Sequence, residues 1–500
     1  MKEQIIVKKL NSSFVKLFTE ADIAQEINSF FSVYADGYLF NPRYKLHIWD
    51  GKIRFFSTIS NILPLGLLSN LEKFAKEKDI DLIYEDFFDN SSFDFDENTF
   101  KSNFEKFITN PTYKIRDYQE EACKQALTKK VGILQCCTSS GKSMIIYNFL
   151  RNIIDATDNS KKMILIVPSV SLVEQIYTDF KDYGWNDIDD YVELMYSGKK
   201  PTFDMPVLIT TWQSLQKFED DKEFFEKLDV VVVDECHGAK ANVINKILKN
   251  CINTEYRIGT TGTLPDSTPD LLNINSVLGK TLYKITSKEL IERGILTKMV
   301  VANIILKYPE TFILKNKNRE YTEEVSMVEN YSNRNKALST ILDRTPLEHN
   351  SLLLCNHVEH VNETANWLAE KYPERKIKVI TGRIKVKTRE QIRVDIENEE
   401  GTIIVATYGT CSTGLNMPKL HNVILYSNSK SKIKVLQTLG RGLRKHNTKN
   451  VVILYDIVDD LSYKIRTGRM VRNYLYKHWQ ERLKYYNEQE FPIKTLELII

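Results

Sequence analysis

Short, uninterrupted apolar runs recur along most of the chain, and each stops at a polar turn. VGILQCC, MILIVPS, PVLITTW, LDVVVVDE and YRIGTTGT form a first series, with helical patterns between them. Strands that are apolar on both faces and alternate with helices predict a parallel sheet covered on both sides. SLLLCN, KIKVITG, GTIIVATYG, NVILYS and VVILYDIV then repeat the pattern. The expected fold is α/β, with two parallel-sheet domains in tandem over 111–297 and 298–460. A small N-terminal α+β domain over 1–100 precedes them. A helical C-terminal extension over 461–500, signalled by RTGRMVRNYLYKHWQERLKYY, follows.

The acidic, Ser/Asn-containing stretch YEDFFDNSSFDFDEN, Tyr84 to Asn98, reads as a linker behind the front domain. Within that domain, Arg43, Lys45, Lys52 and Arg54 alternate with Tyr44, His47, Trp49 and Phe55, and Asp50-Gly51 marks a hairpin turn. Two readings stay open: a two-stranded ribbon that contacts duplex DNA, or a small β-rich scaffold with a solvated basic face.

Composition narrows the class. A chain of 500 residues suggests two to four domains, and 42% hydrophobic with 27% charged residues fits a soluble globular protein. The start MKEQIIVKKLNSS lacks the apolar core of a signal peptide, and no apolar run approaches membrane-spanning length, so an intracellular protein without membrane contact is expected. Seven cysteines with no Cys-x-x-Cys pair indicate neither a disulfide framework nor a zinc site. A net charge of +3 does not diagnose a nucleic-acid partner, because a basic groove can sit on a nearly neutral protein.

The candidate chemistry begins at CCTSSGKSMI, Cys136 to Ile145. A strand before it and a helix after it place Thr138, Ser139, Ser140, Gly141, Lys142 and Ser143 on a turn entering a helix N-terminus. There, backbone N–H groups attract phosphate, Lys142 can reach the β- and γ-phosphates, and Ser143 can offer its hydroxyl to Mg2+. The run of four valines in LDVVVVDECHG ends in Asp234 and Glu235. Two carboxylates suit two tasks: one holds Mg2+, and the other activates the attacking water. An ordinary turn or a helix cap explains each motif alone; the two together on one parallel-sheet pattern favour a nucleotide site.

Asp234-Glu235-Cys236-His237 is similar to the DExH box of superfamily 2 helicases, and the remaining motifs stand in that family's order. RDYQ, Arg116 to Gln119, resembles the element whose glutamine reads adenine. VPSVSLVEQ, with Pro168 and Ser169, and ITTWQSL, with Thr210 and Thr211, resemble nucleic-acid-contacting motifs, although packing is favoured over base stacking for Trp212. TTGT resembles the coupling motif, which would link His237 with Thr261 and Thr263. VITGRI, with Thr381, Gly382 and Arg383, and ATYGTCSTGLN, with Thr407, Gly414 and Asn416, stand where the second domain meets nucleic acid and nucleotide. In QTLGRGLR, helical spacing would put Gln437, Arg441 and Arg444 on one face, delivering arginines to the transition state.

The front segment FNPRYKLHIWDGKIRFF, the phrase DECH and KSKIKVLQTLGRGLRKH together resemble the UvsW-type DExH-box DNA helicases of T-even-type bacteriophages. The resemblance implies two RecA-like domains and a monomer using ATP and Mg2+ to remodel branched or single-stranded DNA in the cytoplasm of an infected bacterium. It leaves open RNA in R-loops and an accessory or single-strand-binding protein as partners. The chain departs from the family loop at Cys136, Ser139 and Ser143, and from its later motif at Asn416. A positive φ at Ser139 would cost strain. An RNA helicase and a non-translocating ATP-gated binding module are the rival functions; the presence of both Glu235 and Arg444 argues against the second.

Overall fold

The computed structural model describes residues 3–85, 97–196, 202, 204–240, 242–382, 391, 392, 395, 398–412, 417, 419–427, 443, 446 and 449–500. The backbone forms two compact units: Met1–Cys136 with Ser140–Ile285, and Thr286–Ile500 with Cys137–Ser139.

The first unit opens with a small module containing β1 (Gln4–Lys9), β2 (Phe14–Phe18), β3 (Ser32–Tyr34), β4 (Lys52–Arg54), β5 (Ile62–Pro64) and β6 (Asp81–Glu85). Four of these make a mixed sheet in the order β5-β2-β1-β6. Period-two alternation buries Ile5, Val7, Val15 and Leu17 on one face. There they meet Ile23 and Ile27 of helix Ala21–Phe30 and Leu71 and Phe74 of helix Leu68–Lys78.

The expected hairpin across Asp50-Gly51 does not form. Asn41 instead caps a single helical turn, Pro42–Lys45, its Oδ1 accepting from Arg43 N at 3.0 Å with Pro42 in the first helical position. Arg43 and Lys45 lie exposed on that turn, while β4, with Lys52 and Arg54, pairs antiparallel with β3 upstream. A ribbon therefore exists, but its partner strand is Ser32–Tyr34.

Beyond residue 97 come β7 (Val131–Cys136), β8 (Met163–Val167), β9 (Val192–Met195), β10 (Val207–Thr211), β11 (Val230–Asp234), β12 (Tyr256–Thr261) and β13 (Thr281–Ile285). Among the described residues they form one seven-stranded sheet in the order β13-β7-β12-β11-β8-β10-β9, with every pairing parallel. Because the strands share a direction, Cys136, Val167, Thr211, Asp234 and Thr261 all end at one edge, the carboxyl edge where ligands of open α/β sheets bind.

The front module docks on the opposite, amino edge. Buried Arg257, second residue of β12, donates to Ser13 Oγ at 2.7 Å and to the Cys251 carbonyl. Ser12 N donates to Ile252 O at 2.8 Å, and Leu272 packs against the module's core. Gly66 allows the closest approach: a Cβ there would lie 2.0 Å from the Asn275 carbonyl oxygen.

The second unit holds β14 (Lys298–Lys307), β15 (Ser351–Cys355), β16 (Lys376–Ile380), β17 (Thr402–Thr407), β18 (Asn422–Leu425), β19 (Val451–Asp460), the short pair β20 (Tyr463–Lys464) and β21 (Met470–Val471), and β22 (Ile493–Ile499). Among the described residues its main sheet is also seven-stranded and parallel, in the order β16-β17-β15-β18-β19-β14-β22. Two buried ion pairs pin β19 to its surroundings: Arg334 Nε–Asp459 Oδ1 at 2.9 Å and Arg482 Nη2–Asp456 Oδ1 at 2.8 Å. Arg482 belongs to the expected C-terminal helix, here Tyr474–Glu488, and β22 beyond it adds an edge strand that the helical pattern does not anticipate.

Among the described residues no helix is long and apolar enough to cross a membrane, no acidic, histidine or cysteine cluster could hold a metal, and six cysteines are buried free thiols.

Candidate nucleotide-hydrolysis site

β7 is buried except at Val131 and Gln135, and helix Lys142–Thr157 packs inward through Ile145, Ile146, Leu150 and Ile153. The turn between them is held as a left-handed corner: Ser139 has φ +67° and Gly141, the N-cap, φ +85°. A Cβ on Gly141 would sit 2.3 Å from Gln119 Nε2, so glycine is required twice there, by conformation and by space. Ser139 has no such exemption, and its backbone carries the strain expected of a non-glycine residue in this region.

Gln119 and Tyr118 hold the loop from behind. Gln119 Nε2 and the Tyr118 hydroxyl both donate to Ser140 O, at 2.8 and 2.7 Å, and Arg116 Nη1 donates to the Tyr118 hydroxyl at 3.2 Å. Gln119 Oε1 accepts from Arg116 N at 2.9 Å. This conformation commits the Gln119 amide, which is buried, to the loop and the helix start. At the helix entry, Lys142 Nζ lies 3.5 Å from Cys136 O and 3.5 Å from Glu235 Oε1, and Ser143 Oγ is 2.7 Å from the Tyr183 hydroxyl. Tyr118 and Tyr183 were not among the expected site residues. Tyr118 lies inside RDYQ, whereas nothing in the spacing marks Tyr183.

The end of β11 supplies the carboxylates. Asp234 Oδ1 accepts from Thr260 Oγ1 at 2.6 Å, across the parallel β11–β12 register that pairs these two residues. Glu235 follows with φ +50°, a second non-glycine residue in the left-handed region at this site. Its Oε2 lies 3.4 Å from His237 Nδ1 and 3.5 Å from Thr261 Oγ1, and His237 Nδ1 is 3.1 Å from Thr261 Oγ1. Thr261 Oγ1 also accepts from Thr263 N at 3.3 Å. His237, Thr261 and Thr263 thus form one chain of contacts ending on Glu235.

Burial and the neighbouring Glu235 charge push the Asp234 carboxyl up. Burial also acts to raise Glu235, but Lys142 and His237 outweigh it and hold this carboxylate down. The two adjacent carboxyls are thus driven in opposite directions, a pattern that suits groups with different tasks. The Lys142 and Glu235 side chains remain 13% and 19% exposed, enough to meet a ligand and water. A carboxylate and a hydroxyl, Asp234 and Ser143, are hard oxygen donors of the kind magnesium takes.

Pro168 and Ser169 follow β8 at the carboxyl edge, and Ser169 Oγ lies 3.0 Å from Ser171 Oγ. Thr210 and Thr211 reach the same edge, but their hydroxyls are buried and turned inward. Thr210 Oγ1 donates to Met195 O at 2.8 Å, and Thr211 Oγ1 accepts from Ser214 N at 3.2 Å as the cap of helix Trp212–Leu215. Strand pairing by Thr210 and capping by Thr211 thus take up the two hydroxyls. Trp212 packs against the sheet's core, as favoured for it.

In the second unit, Thr381 and Gly382 follow β16 and Thr407 ends β17, so the parallel sheet brings them to one edge. Thr407 Oγ1 is 3.0 Å from Thr410 Oγ1. Arg383, Gly414, Asn416, Gln437, Arg441 and Arg444 lie outside the described residues.

A left-handed strand-to-helix turn thus stands beside two adjacent carboxylates, and comparison with known proteins gives its setting. Residues 4–86 match the family model "DNA helicase UvsW, N-terminal", residues 112–266 "Type III restriction enzyme, res subunit", and residues 333–446 "Helicase conserved C-terminal domain". The ATP-dependent DNA helicase uvsW of Enterobacteria phage T4 is 31% identical over 97% of this chain and 98% of its own length. The crystal structure of T4 UvsW superposes with a TM-score of 0.51 at 28% identity, covering both chains completely. A fragment of an HsdR subunit of a type I restriction enzyme from Vibrio vulnificus shares the fold, with a TM-score of 0.57 at 18% identity over 90% of this chain and 78% of its own. With family models matching its front module and parts of both parallel-sheet domains, and a relative 31% identical over 97% of its length, the chain belongs to the UvsW family of ATP-dependent DNA helicases.

Proposed function

We propose that the helicase activity is directed at branched DNA: branch migration, fork regression, dissociation of D-loops and R-loops, and strand annealing during phage recombination and replication. The observation that carries this is the front module, matched to the family along with the motor and docked on the first sheet through Arg257, Ser13 and Gly66. A DNA arm gripped by the module is then fixed in register with the first motor domain. Exposed Arg43 and Lys45, with Lys52 beside the Tyr34 ring, give that module a cationic face for phosphates.

In hydrolysis, Lys142 and the backbone of Thr138–Gly141 neutralise and orient the phosphates. Glu235 takes the proton of the attacking water, and its proton affinity rises when Lys142 turns from it to the phosphates. Ser143 and Asp234 would hold Mg2+, which supplies charge neutralisation at the phosphates when bound. Gln119 releases the Ser140 carbonyl and, with Arg116, meets the adenine; Gly414 and Asn416 take the nucleotide-binding roles that their motif implies. Gln437, Arg441 and Arg444 act on transition-state charge. The chain from Glu235 through His237, Thr261 and Thr263 reports the hydrolytic state to the nucleic-acid track of Pro168, Ser169, Thr210, Thr211, Thr381, Gly382, Arg383 and Thr407. At Thr210 and Thr211, backbone groups serve in place of the inward hydroxyls.

The protein acts as a monomer in the cytoplasm of the infected bacterium, with a phage accessory or single-strand-binding protein as a partner of the same reaction. ATPase rates with single-stranded DNA, forked DNA, a four-way junction and RNA test the assignment. Highest stimulation by forks and junctions is expected. Highest stimulation by RNA would favour an RNA helicase, and turnover without strand separation would favour an ATP-gated binding module.

A further inference from the structure

At the amino edge of the first motor sheet, where the front module docks, a cleft of about 700 Å³ opens between the two. Its walls come from the β1–β2 turn, the segment Ile53–Ser60 and, on the motor side, Lys249 and Asn273. β12 separates it from the hydrolytic corner: Arg257 at one end donates to Ser13 in the β1–β2 turn that walls the cleft, and Thr261 lies at the other, roughly 13 Å along the strand. It is therefore distinct from the ATP site and from the nucleic-acid track at the carboxyl edge.

The lining has a definite chemistry. It carries two cations, Lys249 and Arg54, and no carboxylate. Arg54 is committed to Asp50 at the exposed end of β4. Half-buried Lys249 has no ion pair among the described residues, and burial pulls its ammonium below the ordinary lysine range. Phe14 and Ile59 line the same cleft, and Ile59 is 98% exposed at its rim.

Side-chain amides supply the polar edges. Asn11 Oδ1 accepts from Ser13 N and Phe14 N, at 2.8 and 3.0 Å, which leaves its NH2 group for a ligand. Asn28 Nδ2 donates to Phe56 O at 2.9 Å, which leaves its carbonyl. An ammonium with no ion pair among the described residues, the aromatic ring of Phe14 and both amide polarities, in a volume that holds a nucleotide and not a duplex, suit a phosphate joined to a heterocyclic base.

We propose that this cleft captures an unpaired nucleotide of a DNA arm that the motor does not travel along, with its phosphate on Lys249 and its base against Phe14 and Ile59. The proposal rests on the reading that the substrate is branched DNA, and it adds a second grip on the amino side of the motor. Remodelling a branch moves at least two arms at once, and a site fixed to the first motor domain but away from its track would keep the second arm from dissociating.

The test uses the full chain with Lys249→Ala, Lys249→Arg and, separately, the double change Arg43→Glu with Lys45→Glu, all checked for unchanged melting. Binding to a fork bearing an unpaired arm is measured against salt, and 5-iododeoxyuridine in that arm is photocrosslinked with and without excess thymidine monophosphate. Lys249→Ala should weaken fork binding and lower the salt slope by about 0.7, the value for one single-strand phosphate, and Lys249→Arg should restore both. Crosslinks should fall within residues 53–60 and persist at millimolar monophosphate. An unchanged slope in Lys249→Ala, or crosslinks confined to the motor, overturns the proposal, and complete competition by the monophosphate shows a free-nucleotide site instead of strand capture. If the Arg43/Lys45 change abolishes fork preference while Lys249→Ala does nothing, the cleft assignment fails and the branched-DNA reading stands. If the wild type shows no fork preference at all, the reading itself fails.

Discussion

Replacing Glu235 with glutamine separates catalysis from binding at this site. The carboxylate lies 3.5 Å from Lys142 and 3.4 Å from His237, and the amide keeps its shape while losing its charge and basicity. Losing a general base costs about 10² to 10⁴ in rate, or about 3 to 5 kcal/mol of barrier. Stability should hardly follow, because two electrostatic effects oppose each other. The attraction to Lys142 is lost, but so is the repulsion that drives Asp234 up. With both side chains partly in water, the net change should stay within about 1 kcal/mol, a melting shift of no more than about 4 °C. Lys142, freed from its partner, remains available to phosphate, so ATP affinity should hold or tighten. The assay is steady-state ATPase with single-stranded DNA alongside equilibrium binding of a fluorescent ATP analogue. Turnover within tenfold of wild type, or loss of nucleotide binding, would refute the role given to Glu235.

Lys142→Ala should reduce ATP hydrolysis at least 100-fold by removing the charge that faces the phosphates, and near-normal turnover would remove the basis for the nucleotide site. Ser139→Gly should relieve a backbone held at φ +67° and leave urea stability equal or up to about 1 kcal/mol higher; a loss larger than that would show the serine side chain to be needed. In the second unit, burial acts to raise Glu329, but His360, Ser427 and His357 outweigh it and hold the carboxyl at about 2. A depressed carboxyl stabilises the fold above its unfolded value and loses that contribution as pH falls through its folded one. The advantage of wild type over Glu329→Gln should therefore be at most about 3 kcal/mol near pH 6 and should shrink steadily between about pH 4.5 and 2. A gap independent of pH would contradict it.

The parts legible in the sequence are those whose signal is local. Continuous apolar runs located β7, β8, β10, β11 and β12 and, later, β15, β17, β18 and β19, because a largely buried strand needs no knowledge of its partners; β16, a half-exposed edge strand, showed through its β-branched residues. β22 escaped because Ile493–Ile499 is a mostly exposed edge strand that pairs with β14, almost two hundred residues earlier. The front ribbon was misassigned for a local reason: Asp50-Gly51 looked like a hairpin turn, while Asn41-Pro42, a cap followed by a helix-starting proline, held the stronger instruction. At the hydrolytic corner, Lys142, Asp234 and Glu235 were visible as motifs. The Asp234–Thr260 and Ser143–Tyr183 contacts were not, since each depends on tertiary neighbours. The inward hydroxyls of Thr210 and Thr211 follow from capping by Thr211 and strand pairing by Thr210, which a motif match does not encode.

ATP hydrolysis at this corner is expected to drive remodelling of branched DNA. Conversion of a labelled synthetic four-way junction to forked products, followed by native gel electrophoresis with wild type and Glu235→Gln, tests it most directly. Wild type should convert the junction only with ATP and magnesium present, and Glu235→Gln should bind it and leave it intact. Wild-type protein that separates simple partial duplexes yet leaves the four-way junction unchanged would contradict the account.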